Sequence, residues 1–414
     1  MVSHMAHFTI CWCCVTAAYI VILGVFKLAT REACARDWGL SQLILATLGL
    51  AQLASLMSQN EQIMNKGMLE INYGIIATVA AAAAGRTYMK FVRGPEPKSV
   101  DMTGKVVIIT GSNSGVGYET AKSLVAMGAH VIMACRSEEK AMEAIATITE
   151  ALEAVAAAIR HNTAPGVKGK MTFMKLDLSS LESVRSFVAE FKGSKLGLDS
   201  LILNAGVMHN SRKMTSEGLE ANLAVNYLGN FLLATQLLPK LKESSDARVL
   251  CVNSSLHRMP EAFRFEDPMF EKDYEMFKAY ANSKLALLMF AEELQQRLDR
   301  EKSKVIVNSV TPGIVMTDIS RNMSLFMRAG KAIFRPALGL FCKQPKAGAF
   351  TSVYAATTPM LRKGPEDGAD GVGGLYLSDC EPAPFNPAVT VDKSRKALWK
   401  LSEELISSGS KKKR

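Results

Sequence analysis

Two C-x-x-C pairs, the spacing of a structural zinc site, are missing from this 414-residue chain, where only Cys11 and Cys14 stand at that separation, which excludes a zinc site as the organising element of the fold. The eight cysteines stand at 11, 13, 14, 34, 135, 251, 342 and 380. Four crowd into the first 34 positions and the others fall singly in apolar stretches, a pattern for a reducing compartment and against a disulfide framework. Charge is scarce as well. At 21% charged and 48% hydrophobic residues, with a mean hydropathy of +0.10, the composition excludes disorder and predicts apolar surface buried in lipid as well as in a core. Aromatics reach only 7%, and the net charge of +10 is scattered or gathered beside apolar segments, so the basic face with interleaved aromatics that nucleic acid requires is absent. An anionic membrane surface or a phosphorylated cofactor is the expected partner of that charge. No internal repeat is present, and the length alone predicts roughly two to three structural units.

Most of the apolar excess precedes residue 100. The stretch 8–26 carries no charge over nineteen residues and is followed by Lys27, Arg31 and Arg36, which reads as a membrane helix. Residues 1–7 lack the Lys or Arg of a signal-peptide n-region, so a retained anchor is expected over a cleaved leader. Two weaker segments, 39–57 and 71–84, are interfacial or packed helices, which leaves the number of crossings at one or three. Basic residues after the first segment and at Arg86, Lys90, Arg93 and Lys98 place both flanks in the cytosol. The final Lys411-Lys412-Lys413-Arg414 matches a K-K-x-x retrieval signal of the endoplasmic reticulum membrane, and equally a solvated basic tail. The predicted organisation is an N-terminal helical membrane region over 1–98, a catalytic domain over 99–405 and a basic tail over 406–414.

After Gly94-Pro95-Glu96-Pro97, read as a stiff linker, apolar runs alternate with helical patterns. Strands are expected at 106–110, 130–134, 171–176, 200–204, 249–253 and 305–310, with a short one near Leu375. Helices are expected at 116–127, 138–160, 180–192, 217–242 and 279–299. This rhythm predicts an α/β fold, a doubly wound parallel sheet of the Rossmann type with its ligand at the carboxyl ends of the strands.

The loop Gly111-Ser112-Asn113-Ser114-Gly115-Val116-Gly117 joins the first strand to the first helix. Gly111 allows the tight turn, Gly115 lets a pyrophosphate approach the backbone, and Gly117 lets the helix pack closely with its positive end toward the phosphates. At the exit of the second strand, where NAD-specific enzymes offer a carboxylate to the ribose 2′-hydroxyl, residues 131–136 contain no acid. Arg136 instead offers a planar fork to a 2′-phosphate, which predicts NADP (NADPH) as cofactor.

Taken with Asp177 and Leu178 after the third strand, Asn204-Ala205-Gly206 after the fourth and a later Y-x-x-x-K, the T-G-x-x-x-G-x-G loop resembles the short-chain dehydrogenase/reductase family over about 103–405. The resemblance implies that Asp177, Leu178, Asn204, Ala205 and Gly206 line the cofactor. Y-x-x-x-K occurs three times, as Tyr118/Lys122, Tyr274/Lys278 and Tyr280/Lys284, so position must decide. Tyr118 lies in the first turn of the phosphate-binding helix and Tyr274 in an acidic loop, whereas Tyr280 opens an apolar helix twenty-five residues after Ser255. Tyr280 is therefore the expected general acid/base, with Lys284, one turn along, favouring its phenolate, and both also contacting the cofactor. Of Ser254-Ser255, the family pattern points to Ser255 as the substrate-holding hydroxyl. Asn226 matches the asparagine that holds a water in the proton relay, although a helical asparagine also serves to satisfy neighbouring backbone. Pro312, Gly313, Val315 and Thr317 resemble the loop that touches the nicotinamide carboxamide, with Thr317 expected on a cofactor phosphate or amide.

Residues 319–342 either cap the substrate pocket, as the family implies, or pack as an ordinary amphipathic helix. The closing stretch, Gly374 to Cys380 and then Leu398 to Leu405, looks like the end of retinol-dehydrogenase-like members. Two departures stand out, the long N-terminal region and an extended connection over 151–169. The reading is a membrane-anchored NADP-dependent oxidoreductase that interconverts a lipophilic alcohol and its aldehyde or ketone, a retinoid or other isoprenoid, on the cytosolic face of the endoplasmic reticulum. Its alternative is a catalytically idle, cofactor-sensing adaptor on a membrane. The sequence does not specify a homo-oligomer.

Overall fold

In the computed structural model the chain divides into two units, Met1–Val92 and Arg93–Arg414, and the residues described below are 94–159, 169–315, 342–361 and 373–411 of the second. The expected membrane segments, most of the insertion's end, Thr317, the 319–341 segment and the last three residues lie outside the described residues. Among those described, no helix is long and apolar enough to cross a membrane.

Seven strands run parallel: β1 (Val106–Thr110), β2 (His130–Cys135), β3 (Lys170–Lys175), β4 (Ser200–Leu203), β5 (Arg248–Val252), β6 (Ile306–Thr311) and β7 (Tyr376–Ser378). A two-residue strand β8 (Glu381–Pro382) closes one edge antiparallel to β7. The order β3-β2-β1-β4-β5-β6-β7-β8 reverses direction at β1, so a crevice opens between the carboxyl ends of β1 and β4. β1 and β5 are buried at every position, as β-branched and aliphatic strands covered on both faces must be.

The helices are α1 (Gly115–Ala126), α2 (Glu138–Ile159), α3 (Leu181–Gly193), α4 (Ala221–Leu223), α5 (Gly229–Leu241), α6 (Met276–Arg300), α7 (Pro345–Thr357) and α8 (Asp392–Lys411). On one face, Phe187 and Phe191 of α3, Phe231 of α5, Phe290 of α6 and Leu398 of α8 form a core with Tyr227. On the other, α1, α2 and α7 cover the sheet through Leu124, Ile148 and Val353.

Two differences from the sequence reading matter. The single helix expected at 217–242 is interrupted by a π-helical turn, Ala224–Leu228, between α4 and α5. The Asn230 amide donates to the carbonyls of Val225 (3.1 Å) and Asn226 (3.2 Å), which offsets the irregular ladder there. The start of the 94–97 linker is docked: Gly94 lies at positive φ (70°) against Asp379, the Cys380 thiol contacts the Pro95 carbonyl (3.6 Å), and Glu96 pairs with Lys346 at 2.9 Å.

Candidate active site

The crevice is built from its floor upward. Thr110 ends β1 with a buried hydroxyl that accepts the backbone N–H groups of Asn204 and Ala205, both at 2.9 Å. The Asn204 side-chain amide returns the contact by donating to the carbonyls of Thr110 (2.8 Å) and Gly111 (3.2 Å). These bonds fix the mouth between β1 and β4. Gly111 and Gly115 both adopt positive φ (64° and 60°), which bends the loop so that α1 points its N-terminus into the mouth. A Cβ on Gly117 would stand 2.4 Å from the Asn204 amide nitrogen and 2.6 Å from the Gly111 carbonyl oxygen, so hydrogen alone fits there.

The resulting cavity of about 490 Å³ is lined by Gly111, Asn113, Ser114, Gly115, Val116, Gly117, Arg136, Asp177, Leu178, Asn204, Ala205, Gly206, Tyr280, Lys284, Pro312, Gly313 and Val315, all singled out from sequence. Ser112 is a correction. Its hydroxyl is buried and donates to the Ile109 carbonyl (3.1 Å) beside the Cys135 thiol, so it braces β1 against β2 behind the loop. Thr110, Met208 and Val252 also line the cavity and were not foreseen, because an apolar or strand-end residue carries no local mark of facing a ligand.

Asp177 spends one carboxylate oxygen on the Ser179 backbone N–H (2.9 Å) and hydroxyl (2.6 Å), which holds the turn after β3 at the cavity wall. Arg136, exposed at the exit of β2, has no ion-pair partner among the described residues. A guanidinium at the rim, a helix N-terminus behind glycines and no acid at the end of β2 together fit a dinucleotide.

At the far end stand Tyr280, Lys284 and Ser254. Of the three tyrosine-lysine pairs, Tyr280 and Lys284 alone line the cavity. Tyr118 is half-buried against the α1–α2 core, and the Tyr274 hydroxyl donates to the His209 carbonyl (2.8 Å) while accepting from the Asn222 amide (2.9 Å). Ser254 and Ser255 both line the cavity, but the Ser254 side chain is the one that acts on the Tyr280 phenol, whereas Ser255 is exposed as the first residue of a 3-10 turn, Ser255–Arg258. The expectation for Ser255 is thereby corrected to Ser254. Adjacent and chemically identical, the two serines carry no local signal that separates them.

Burial pushes the Tyr280 pKa up to about 12, an effect that the bond from Ser254 offsets only in part. Lys284 donates to the Val252 carbonyl (2.9 Å) with its nitrogen 5.9 Å from the centre of the Tyr280 ring, and burial lowers its pKa to about 8. The expected phenolate is therefore replaced by a neutral phenol, because the ammonium is aimed at a backbone carbonyl and desolvation dominates. A neutral phenol is a proton donor.

Asn226 sits in the π-helical turn. Its Oδ1 accepts the Val207 N–H (2.7 Å), and its Nδ2 donates to the Val207 carbonyl and the Ser283 hydroxyl, both at 2.9 Å. The backbone-satisfying role is thus realised. A Cβ on Gly206 would lie 3.4 Å from Lys284 Nζ and 3.5 Å from Asn226 Oδ1, so the missing side chain leaves a gap between the two polar atoms of the size a bridging water needs.

A short chain dehydrogenase family model matches residues 105–327. Retinol dehydrogenase 14 of Mus musculus is 38% identical over 305 residues, covering 74% of this chain and 86% of the relative. Polyprenol dehydrogenase of Homo sapiens is 36% identical over 337 residues, covering 80% and 94%. Among solved structures, an uncharacterized protein from Mycobacterium paratuberculosis superposes with a TM-score of 0.57 at 28% identity over 75% of this chain and 96% of its own. The chain thus belongs to the short-chain dehydrogenase/reductase family as an oxidoreductase that works with NAD(P).

Proposed function

We propose that the protein is a membrane-anchored, NADPH-dependent reductase of a lipophilic aldehyde or ketone, a retinoid or other isoprenoid, and that it catalyses the reverse oxidation of the alcohol at the same site. The observation that carries this reading is the buried Tyr280 phenol, with Ser254 and Lys284 lining the same inner end of a cavity whose outer rim offers Arg136. The names of the retinol and polyprenol dehydrogenase relatives support the substrate class.

When bound, the nicotinamide supplies or accepts the hydride. The loop 111–117 and the N-terminus of α1 would hold the pyrophosphate, Arg136 the 2′-phosphate, and Asp177, Leu178 and Asn204 to Gly206 the adenosine and the adjoining ribose. Lys284 with Tyr280 would hold the nicotinamide ribose, and Pro312, Gly313, Val315 and Thr317 the carboxamide. Ser254 orients the substrate oxygen toward Tyr280, which gives that oxygen its proton. Lys284, charged below pH 8, and a water in the gap beside Gly206 and Asn226 return a proton to the phenolate. NADPH oxidation by a panel of long-chain aldehydes tests the reading, and measurable NADPH binding without turnover on any of them would favour the adaptor.

Removing the Arg136 guanidinium takes away a charge-assisted contact worth about 1.5–3 kcal/mol. Titration of Arg136→Ala should show NADPH affinity falling by roughly ten- to a hundredfold toward that of NADH, and equal affinities in the unmutated protein would contradict the assignment.

The pH profile carries a second expectation. Because the Lys284 pKa is lowered to about 8, the reductive kcat/KM should hold through neutrality and fall as pH rises through that value, when the proton returned to Tyr280 loses its source. A profile that stays level to pH 10 would remove Lys284 from this role.

For the anchor, motivated by the uncharged 8–26 segment and the cytosolic basic flanks, full-length protein should stay with endoplasmic reticulum membranes through high salt and alkaline carbonate. Release by either wash would contradict a spanning helix.

A further inference from the structure

We infer that His257 is a positioning residue that fixes the Ser254 hydroxyl by clamping the carbonyl of the same residue. The inference rests on the assignment of Ser254 to the substrate oxygen.

His257 is fully buried, three residues past Ser254 in the 3-10 turn. Its backbone N–H donates to the Ser254 carbonyl at 3.1 Å and its Nδ1 lies 2.5 Å from the same oxygen. A carbonyl only accepts, so Nδ1 carries the hydrogen and both lone pairs of the Ser254 oxygen are taken by one residue. Nε2 has no protein partner among the described residues, and the ring is otherwise held by the Tyr376 ring, edge to face at 4.8 Å. Its polar contact is therefore directed at Ser254. Burial holds the imidazole pKa down at about 4, so the ring stays neutral and keeps its single N–H for this bond.

The other atoms of Ser254 are fixed in the same way. Its N–H donates to the Asn253 side-chain oxygen (2.9 Å) and its hydroxyl accepts the Leu256 N–H (3.3 Å), which leaves the hydroxyl hydrogen for Tyr280 or substrate. The turn is braced from outside by Asn386, whose amide donates to the carbonyls of His257 (2.9 Å) and Pro260 (2.6 Å). Without the Nδ1 bond the Ser254 carbonyl keeps only the His257 backbone N–H, so the peptide is held less tightly at the strand end, and an ångström of displacement at a reacting atom is enough to slow the chemistry about a hundredfold.

The test uses full-length protein, NADPH and retinal, with four variants. His257→Phe keeps a ring against Tyr376 and removes the donor; kcat should fall about ten- to a hundredfold while NADPH affinity stays within about twofold. His257→Asn places an N–H close to the position of Nδ1 and should recover most of that loss, whereas His257→Gln, whose amide reaches the Nε2 position, should not. Adding His257→Phe to Ser254→Ala should cost less than about twofold further, since the hydroxyl it positions is already gone. An additive loss in that background, or equal losses in the Asn and Gln variants, would overturn the inference. Should His257→Phe fail to fold, the Asn and Gln pair decides alone. Full turnover in Ser254→Ala would instead overturn the assignment of Ser254, and a wild-type protein inactive on retinal and on the long-chain aldehydes would overturn the proposed function.

Discussion

Tyr280→Phe is expected to lower turnover by about a hundred- to ten-thousandfold and NADPH affinity by far less, since the phenol is only one of many contacts proposed for the cofactor. The substitution removes one oxygen and leaves the ring to pack in a site where Tyr280 is almost wholly buried. It also removes the one phenol that borders the cavity among the three tyrosine-lysine pairs, the partner to which Ser254 is bonded. Tyr118→Phe and Tyr274→Phe serve as controls. Tyr274→Phe loses the bonds to His209 and Asn222 and should cost stability, about 1 kcal/mol, without touching kcat. Steady-state kinetics beside a cofactor titration separates the three. Retained turnover in Tyr280→Phe, or an equal loss in Tyr274→Phe, would show that the proton comes from elsewhere.

The second large effect is expected at Gly117. The added methyl of Gly117→Ala would overlap both the Asn204 amide and the Gly111 carbonyl, and the latter is backbone in a loop already committed to an unusual turn. Relief requires α1 to withdraw from β1 and β4, which breaks the Asn204 bonds to Thr110 and Gly111 that shape the mouth. Overpacking of this kind costs about 1–3 kcal/mol. For a domain of this size that corresponds to a fall in Tm of roughly 2–5 °C, and NADPH affinity should fall with it. A variant with unchanged Tm and unchanged NADPH binding would mean that the helix does not approach the strand ends as closely as the structure has it.

How much of this was legible in the sequence depended on whether a residue's role is written in its own neighbourhood. The strands β1, β2, β4 and β5 are short β-branched runs between turn residues, and their limits were readable to within a residue. The glycine loop was equally plain, because positive φ and close approach both demand glycine. α7 was not foreseen. It is a helix of small residues, Ala347, Gly348 and Ala349 among them, buried on nearly every side against α1 and β6, so it shows no apolar stripe to find. The π-helical turn was hidden for a different reason, since its Asn226 is engaged by Val207, nineteen residues away in sequence. Ser254 and Ser255 illustrate the limit most sharply: adjacent and chemically identical, both line the cavity, and they differ in which one acts on the Tyr280 phenol. The neutral state of Tyr280 was equally beyond local reading, because it follows from burial and from the direction in which Lys284 points.

The central claim is that hydride and proton reach a lipophilic carbonyl in this cavity, the proton from Tyr280. Transfer of deuterium from deuterated NADPH to retinal, read by the mass of the retinol formed, tests it most directly. The account predicts one deuterium at the carbinol carbon of each product molecule with the unmutated protein, and product formation slowed at least a hundredfold in Tyr280→Phe at saturating cofactor. Bound NADPH that transfers no deuterium to retinal or to any long-chain aldehyde, or transfer that proceeds undiminished in Tyr280→Phe, would contradict it.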